Sequence, residues 1–357
     1  MSDRQAKFEG TKDVLSSHKF DLERLNEFLL SSIEGFKGPL EVKQFKGGQS
    51  NPTYLLVTPN KKYVLRRKPP GNLLKSAHAV DREFHVIDVL SGMNFPVPKP
   101  YLFCDDDSVI GTVFYVMEYI EGRIFWDLDI PESNPNERAA IYDDLNKVLA
   151  KLHNFDHETL GLSDFGKSGN YFSRQVSRWS KQYRASEIKS IPEMDQLIEW
   201  LPKNIPNEQS VGIVHGDYRL DNLIIHPTEP KIIGVLDWEL STIGNPLGDF
   251  TYNLLAWQMP DIGIGSAGLH GKNLRGLGIP DEEEYINTYC ERTGRKNGLS
   301  DREFYSAYNF FRIAAILQGI AGRIRDGTAA NTEARKLVQA VSPLAKMGWS
   351  YAIKSGI

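Results

Sequence analysis

His215-Gly216-Asp217-Tyr218-Arg219-Leu220-Asp221-Asn222 runs directly into Leu223-Ile224-Ile225, and Lys231-Ile232-Ile233-Gly234-Val235-Leu236-Asp237-Trp238-Glu239 follows a few residues later. Two short apolar runs, Leu223 to Ile225 and Ile232 to Leu236, flank a Pro-containing turn at His226 to Pro230, which predicts a small β-hairpin. An acid and an amide precede the first strand, and another acid follows the second. Antiparallel pairing would bring Asp217, Asn222 and Asp237 to one end of the hairpin.

Two carboxylates and an amide converging there suit magnesium, which takes a few protein oxygens and leaves its other positions to phosphates and water. The His-x-Asp-x-x-x-x-Asn spacing followed by a strand-ending Asp is the layout of a kinase catalytic loop and its metal-binding acid. On these motifs the chain resembles the aminoglycoside phosphotransferase family of kinase-like enzymes, and within it the kinase-like domains fused to some acyl-CoA dehydrogenases. The resemblance implies an α+β, two-lobed protein-kinase-like fold, with a small antiparallel sheet in the N-lobe and a mostly helical C-lobe. It implies that Asp217 is the catalytic base, and that Asn222 and Asp237 hold magnesium on the phosphates of ATP. Arg219 stands where protein kinases commonly carry a Lys that contacts the transferred phosphoryl group, and Asp249 is expected to brace the loop. Isolated Asp and Asn residues usually cap turns. Asp237, placed behind a second apolar run, favours the site reading.

A chain of 357 residues can bury a large core, and its length predicts two or three lobes. A pI of about 6.1, a formal net charge of -4 and the lack of a long basic run argue against nucleic acid as a partner. Cys104 and Cys290 lie far apart without CxxC spacing, which argues against a disulfide framework or a zinc site. The opening Met-Ser-Asp-Arg-Gln-Ala-Lys has no apolar core for a signal peptide, and no run approaches the roughly 18 apolar residues of a membrane span. The expectation is a cytoplasmic protein without a membrane partner.

Residues 1 to about 19 read as polar and loose, followed by an amphipathic helix on Leu22, Leu25, Leu29 and Ile33. Val42 to Val57 splits into two strand-like halves around Lys46-Gly47-Gly48-Gln49-Ser50-Asn51-Pro52. Gly47 and Gly48 let the backbone approach a phosphate, and Ser50 and Asn51 with nearby amides are candidates to hold it; an ordinary hairpin turn fits the same residues. Tyr63 to Arg67 reads as a third strand, on which Arg66 takes the position of the phosphate-binding kinase Lys. Arg offers a planar fork where Lys offers a point charge, so the exchange is not conservative. Ser76 is the expected cap of a helix running to about Leu90, and Glu83 within it matches the acid that pairs with the strand-three cation. Strands follow near Tyr101 to Cys104 and over Thr112 to Ile120, and the resemblance makes the backbone of Glu118 and Ile120 the partners of the adenine edge.

Further on, Ile141, Leu145, Val148, Leu149 and Leu152 predict a buried helix ending near His153, a packing or capping residue. Two helices are expected between Tyr171 and Leu201, with Trp179 and Trp200 as anchors, then a helix from Phe250 to Trp257. Pro260 to Pro280 reads as a lid or an insertion, and closing helices are expected at Asp281 to Thr293, Asp301 to Arg325 and Thr332 to Ile353. By the resemblance the added helices shape the acceptor pocket, making Tyr308, Arg312, Gln318 and Arg323 candidates to face the substrate. Their basic character suits an anionic acceptor. The expected division is 1–38 as N-terminal extension and helix, 39–120 as N-lobe, and 121–357 as C-lobe with helical substrate-binding insertions.

The resulting expectation is an ATP- and Mg-dependent phosphotransferase acting on a small-molecule hydroxyl acceptor, with a hydroxyacyl-CoA or hydroxy acid first and a homodimer left open. Alternatives are a kinase of an aminoglycoside, choline-like or sugar-like alcohol, and a catalytically inactive nucleotide-binding regulator. Protein kinase activity fits less well, because Asp237-Trp238-Glu239 replaces Asp-Phe-Gly and no Ala-Pro-Glu follows.

Overall fold

Alternating apolar runs in the first third of the chain pair into one antiparallel sheet. In the computed structural model, which describes residues 9–47, 51–69, 78–207, 210–261, 268–325 and 337–356, its strands are β1 (Thr11–Lys12), β2 (Glu41–Phe45), β3 (Thr53–Val57), β4 (Lys62–Arg67), β5 (Pro100–Cys104) and β6 (Phe114–Glu118). Their order is β1-β2-β3-β4-β6-β5, so β4 is an interior strand. One face is covered by helix α1 (Leu22–Ser32), which starts where the Asp21 side chain accepts from the Arg24 amide. Leu25, Leu29 and Ile33 pack with Tyr54, Leu56, Leu65, Phe114 and Val116 in one core, whereas Leu22 in the first turn remains 44% exposed. A second helix, α2 (Val80–Ser91), begins after Ala79 without a side-chain cap; Ser76, the expected cap, lies outside the described residues.

Residues 9–19 make more contacts than their polarity suggested. Thr11 and Lys12 pair with Phe45 and Gln44, and the His18 carbonyl accepts from the Tyr54 hydroxyl at 3.2 Å and from Arg67 Nη2 at 3.1 Å. A two-residue strand has too few positions to show a period, which is why sequence alone read this stretch as loose.

Four short strands follow: β7 (Gly212–Val214) pairs with β10 (Thr242–Gly244), and β8 (Leu223–Ile225) pairs with β9 (Ile232–Val235) as the expected hairpin. The chain divides into two compact units, residues 1–126 with 219–241, and residues 127–218 with 242–357. This division differs from cuts at 38 and 120. Helix α1 shares the core of the sheet, and the β8–β9 hairpin is tied into the first unit by the Arg123 and Ile225 amides and carbonyls at 2.7 and 2.8 Å and by Val235 N on Pro96 O at 2.7 Å.

The second unit is mainly helical: α3 (Pro135–His153), α4 (Tyr171–Ser186), α5 (Pro192–Trp200), α6 (Pro246–Gln258), α7 (Glu282–Arg292), α8 (Arg302–Arg325) and α9 (Val341–Lys354). Asn134 caps α3 with Pro135 in its first turn, and Asn245 caps α6, which therefore starts ahead of the expected Phe250. Helix α8 packs against α9, α4 and α6 and buries Phe304, Tyr305, Tyr308, Phe310, Phe311 and Ala314, so it is apolar on most sides. Among the described residues no helix is long and apolar enough to cross a membrane.

Candidate active site

In the first unit the chemistry gathers on Arg66. Its place on interior strand β4 leaves it 8% exposed. Nε lies 2.7 Å from Glu83 Oε2, and Nη2 lies 2.7 Å from Asp237 Oδ1 and 3.8 Å from Glu239 Oε2. A buried cation is costly unless paired. Burial pulls the Arg66 guanidinium down, but the charges of Glu83, Asp237 and the groups beside them outweigh it and hold its pKa above the ordinary arginine value. Glu83 is 1% exposed and also accepts from the Tyr115 hydroxyl and the Asn51 amide, both at 3.0 Å. Burial, then the charge of Glu83, pushes the Tyr115 phenol well up.

The hairpin register sets Asn222 beside Asp237. Leu223 pairs with Val235, and the Leu236 amide donates to the Asn222 carbonyl at 2.9 Å. Asp237 has a φ of +67°, the left-handed region that a non-glycine residue occupies at a cost and that recurs at functional sites. Glu83, Asp237 and Glu239 offer carboxylate oxygens that all lie within 4.8 Å of one another. Carboxylate oxygens are the hard donors that magnesium takes, and the backbone of Asn222 is tied to the same end of the hairpin through Leu236. Arg219, from the same loop, lies 3.1 Å from Asp221 through Nη2 and Oδ2.

The remaining candidates of this unit are less concentrated. Asn51 supports Glu83, while Gly48 and Ser50 lie outside the described residues and Gly47 stands at the edge of that gap. Glu118 closes β6, and its amide already donates to the Lys99 carbonyl at 2.8 Å. The Ile120 amide, beyond the strand end, makes no hydrogen bond with a described residue.

In the second unit β7 delivers the loop that carries Asp217. Asp249, in the first turn of α6 and 1% exposed, accepts from the His215 amide at 2.6 Å and the Gly216 amide at 2.9 Å. Burial pushes the Asp249 carboxyl up, but the hydrogen bond and charge of His153, with His215, outweigh it and leave its pKa below the ordinary value. His153 also meets the Tyr289 hydroxyl at 2.7 Å through Nδ1, the packing role expected of it. Arg312 Nη2 donates to the Gly216 carbonyl at 2.5 Å, and the Tyr218 hydroxyl donates to the Leu145 carbonyl at 3.0 Å. The side chain of Asp217 is held as well: the Tyr252 hydroxyl donates to Oδ1 at 2.7 Å. Tyr252 stands three residues after Asp249, so one face of α6 grips both the loop backbone and its acid. The Arg312 guanidinium lies 4.8 Å from the centre of the Tyr252 ring.

The phosphotransferase enzyme family (APH) matches the chain over residues 41–282, which includes both the Arg66 cluster and the Asp217 loop. The chain belongs to this family. Its fold is the protein-kinase-like one. The chain is 45% identical over 344 residues to acyl-CoA dehydrogenase family member 11 of Rattus norvegicus, covering 95% of this chain and 44% of that one. It spans less than half the length of the curated relatives it matches. A crystal structure of a candidate aminoglycoside phosphotransferase from Ralstonia eutropha JMP134 superposes with a TM-score of 0.86 at 50% identity, over 94% of this chain and 99% of that one. A thermostable mutant of an aminoglycoside phosphotransferase, solved with AMP-PNP and hygromycin B, shares the fold with a TM-score of 0.58 at 14% identity, over 93% and 99% of the two chains.

Three of the four residues expected to face the acceptor do other work. Tyr308 is 0% exposed and packs edge-on against Phe172 with ring centres 5.1 Å apart. Gln318 is buried and its Nε2 donates to the Ser186 carbonyl at 2.7 Å, tying α8 to α4. Arg312 is buried and supports the Asp217 loop. The reason is the burial of α8: polar side chains on such a helix satisfy interior groups. Arg323 alone of the four is exposed. Sequence reasoning missed Glu239 and Tyr252. Glu239 stood in plain view two places after Asp237, and Tyr252 is one helical turn past Asp249.

Proposed function

We propose that this chain transfers the γ-phosphoryl group of ATP to a hydroxyl of a small molecule, and that the acceptor is a hydroxyacyl-CoA or hydroxy acid. The observation that carries the reading is the fixation of Asp217, whose loop backbone is held by Asp249 and Arg312 and whose carboxylate is held by Tyr252. A base for phosphoryl transfer needs position more than strength, because little covalent chemistry falls to the protein. In this reading Asp217 orients the acceptor hydroxyl and takes its proton. Arg66, with its fork set by Glu83, serves the nucleotide phosphates, as Arg219 serves the transferred group.

Asn222 and Asp237 would hold magnesium, with Glu239 as a further donor; when bound, the ion supplies neutralisation of phosphate charge. The name of the relatives, the acyl-CoA dehydrogenase family, supports an acyl-CoA type of acceptor over a polycationic one. The AMP-PNP held by the distant structure supports an adenine nucleotide as donor. One observation favours a second reading, a nucleotide-binding regulator: Arg66 occupies Asp237 at 2.7 Å.

The deciding experiment follows phosphate transfer from ATP with magnesium across hydroxyacyl-CoAs, free hydroxy acids, aminoglycosides, choline and sugars, with Asp217→Ala as control. Turnover on an acyl-CoA or hydroxy acid that vanishes in the control is the expected result. Magnesium-dependent ATP binding without transfer to any acceptor would replace this reading with the regulatory one.

A further inference from the structure

We propose that the exposed face of α4 binds the phosphate groups of a coenzyme A carrier and so anchors an acyl-CoA acceptor on the second unit; this rests on the function proposed above. Ser173, Ser177, Arg178 and Lys181 are exposed on this helix, Arg174 is half-buried, and the five line a shallow, open depression of about 590 Å³. Their spacing in threes and fours puts them on one side of the helix. Three cations and two hydroxyls therefore face the same space.

Among the described residues no carboxylate pairs with any of these cations. Arg174 donates to the carbonyls of Gly169 and Lys167, and Arg178 lies 5.0 Å from the centre of the Trp179 ring. A comparison lies on the same helix: Arg184, past the depression, is paired with Glu187 at 3.2 Å and Asp195 at 2.5 Å. The first turn of α4 also carries no acidic residue. Like charges left together in this way repel, and an anion relieves the repulsion. From Arg174 to Lys181 the stripe is about 10 Å long at the α-helical rise. That length suits a ligand with two separated phosphate groups better than a single phosphate ion. Serine hydroxyls add donors to the phosphate oxygens.

The depression is linked to the loop of Asp217 inside the same unit. Trp179 is 5% exposed, and its ring centre lies 5.0 Å from the Arg178 guanidinium and 5.9 Å from that of Arg312. Arg312 in turn donates to the Gly216 carbonyl next to Asp217.

The test compares one hydroxyacyl group carried on coenzyme A with the same group on N-acetylcysteamine, which lacks phosphates, in the wild-type protein and in Arg178→Gln/Lys181→Gln. The exposed positions make a folding defect easy to exclude by thermal unfolding. For the coenzyme A thioester the variant should show a KM raised on the order of tenfold, an effect that shrinks with added salt. KM for the phosphate-free thioester and for ATP should be unchanged. Equal KM values for the two thioesters in the wild type, or an unchanged ratio in the variant, overturn the proposal. Calorimetric titration of free coenzyme A decides the matter apart from turnover: no binding to the wild type, or equal binding to the variant, also overturns it. Absence of phosphate transfer to any acceptor, with coenzyme A still bound and released by the variant, would instead sink the proposed activity and keep the site.

Discussion

Arg66 reaches three acids with one planar fork, and that geometry makes it more than a positive charge on a strand. Arg66→Met would leave Glu83 buried with no counter-charge, and the expected loss of stability is about 3 to 5 kcal/mol. Arg66→Lys keeps the charge but not the second contact, for a loss of about 1 to 2 kcal/mol. Urea unfolding of both variants measures this, and a Met variant as stable as the parent would show that the cluster is not ionic. Tyr252 acts on the proposed base in a different way, through a single hydroxyl. Tyr252→Phe should lower kcat for phosphate transfer about tenfold while leaving KM for ATP unchanged, since the lost contact orients a group used in the transition state. Unaltered kcat would reduce the contact to packing.

At the scale of elements, α6 has two tasks because its capped start places Asp249 in the first turn and Tyr252 one turn later. The β8–β9 hairpin depends on a close approach elsewhere. A Cβ built on Gly122 would meet the Ile225 carbonyl oxygen at 2.5 Å and also the Ile224 side chain. Gly122→Ala therefore has to shift the backbone bridge between Arg123 and Ile225, and an overpacking cost of about 1 to 3 kcal/mol is expected. Faster amide exchange at Ile225 should accompany it. Unchanged stability and exchange would mean that the hairpin does not need this contact.

For the whole molecule, Asp249 makes acid a specific stress. Its folded pKa lies below the ordinary carboxylate value, because the hydrogen bond and charge of His153, with His215, overcome burial. A depressed carboxyl contributes stability that is fully present above its unfolded pKa of about 3.9 and is lost as pH falls through the lower folded value. The unfolding temperature should thus decline below about pH 4, and in Asp249→Asn, less stable at neutral pH, that decline should be shallower. Equal acid slopes in the two proteins would assign the loss to other carboxyls. The division of the chain falls between Tyr218 and Arg219, so Asp217 belongs to one compact unit and Asn222 and Asp237 to the other.

Much of this was legible from the amino-acid order. The hairpin of Leu223 to Ile225 with Ile232 to Val235 and the helical period from Ile141 to Leu152 are local patterns, and local backbone geometry turns them into structure wherever the chain folds. The pairing of Arg66 with Asp237 joins residues 171 positions apart. That ion pair, the two-residue β1, and the conversion of Tyr308, Arg312 and Gln318 from expected ligand contacts into interior supports came only with the tertiary structure. A helix carries its own period in its sequence, but how many of its sides are buried depends on every element packed against it, and with burial goes the work its polar residues can do.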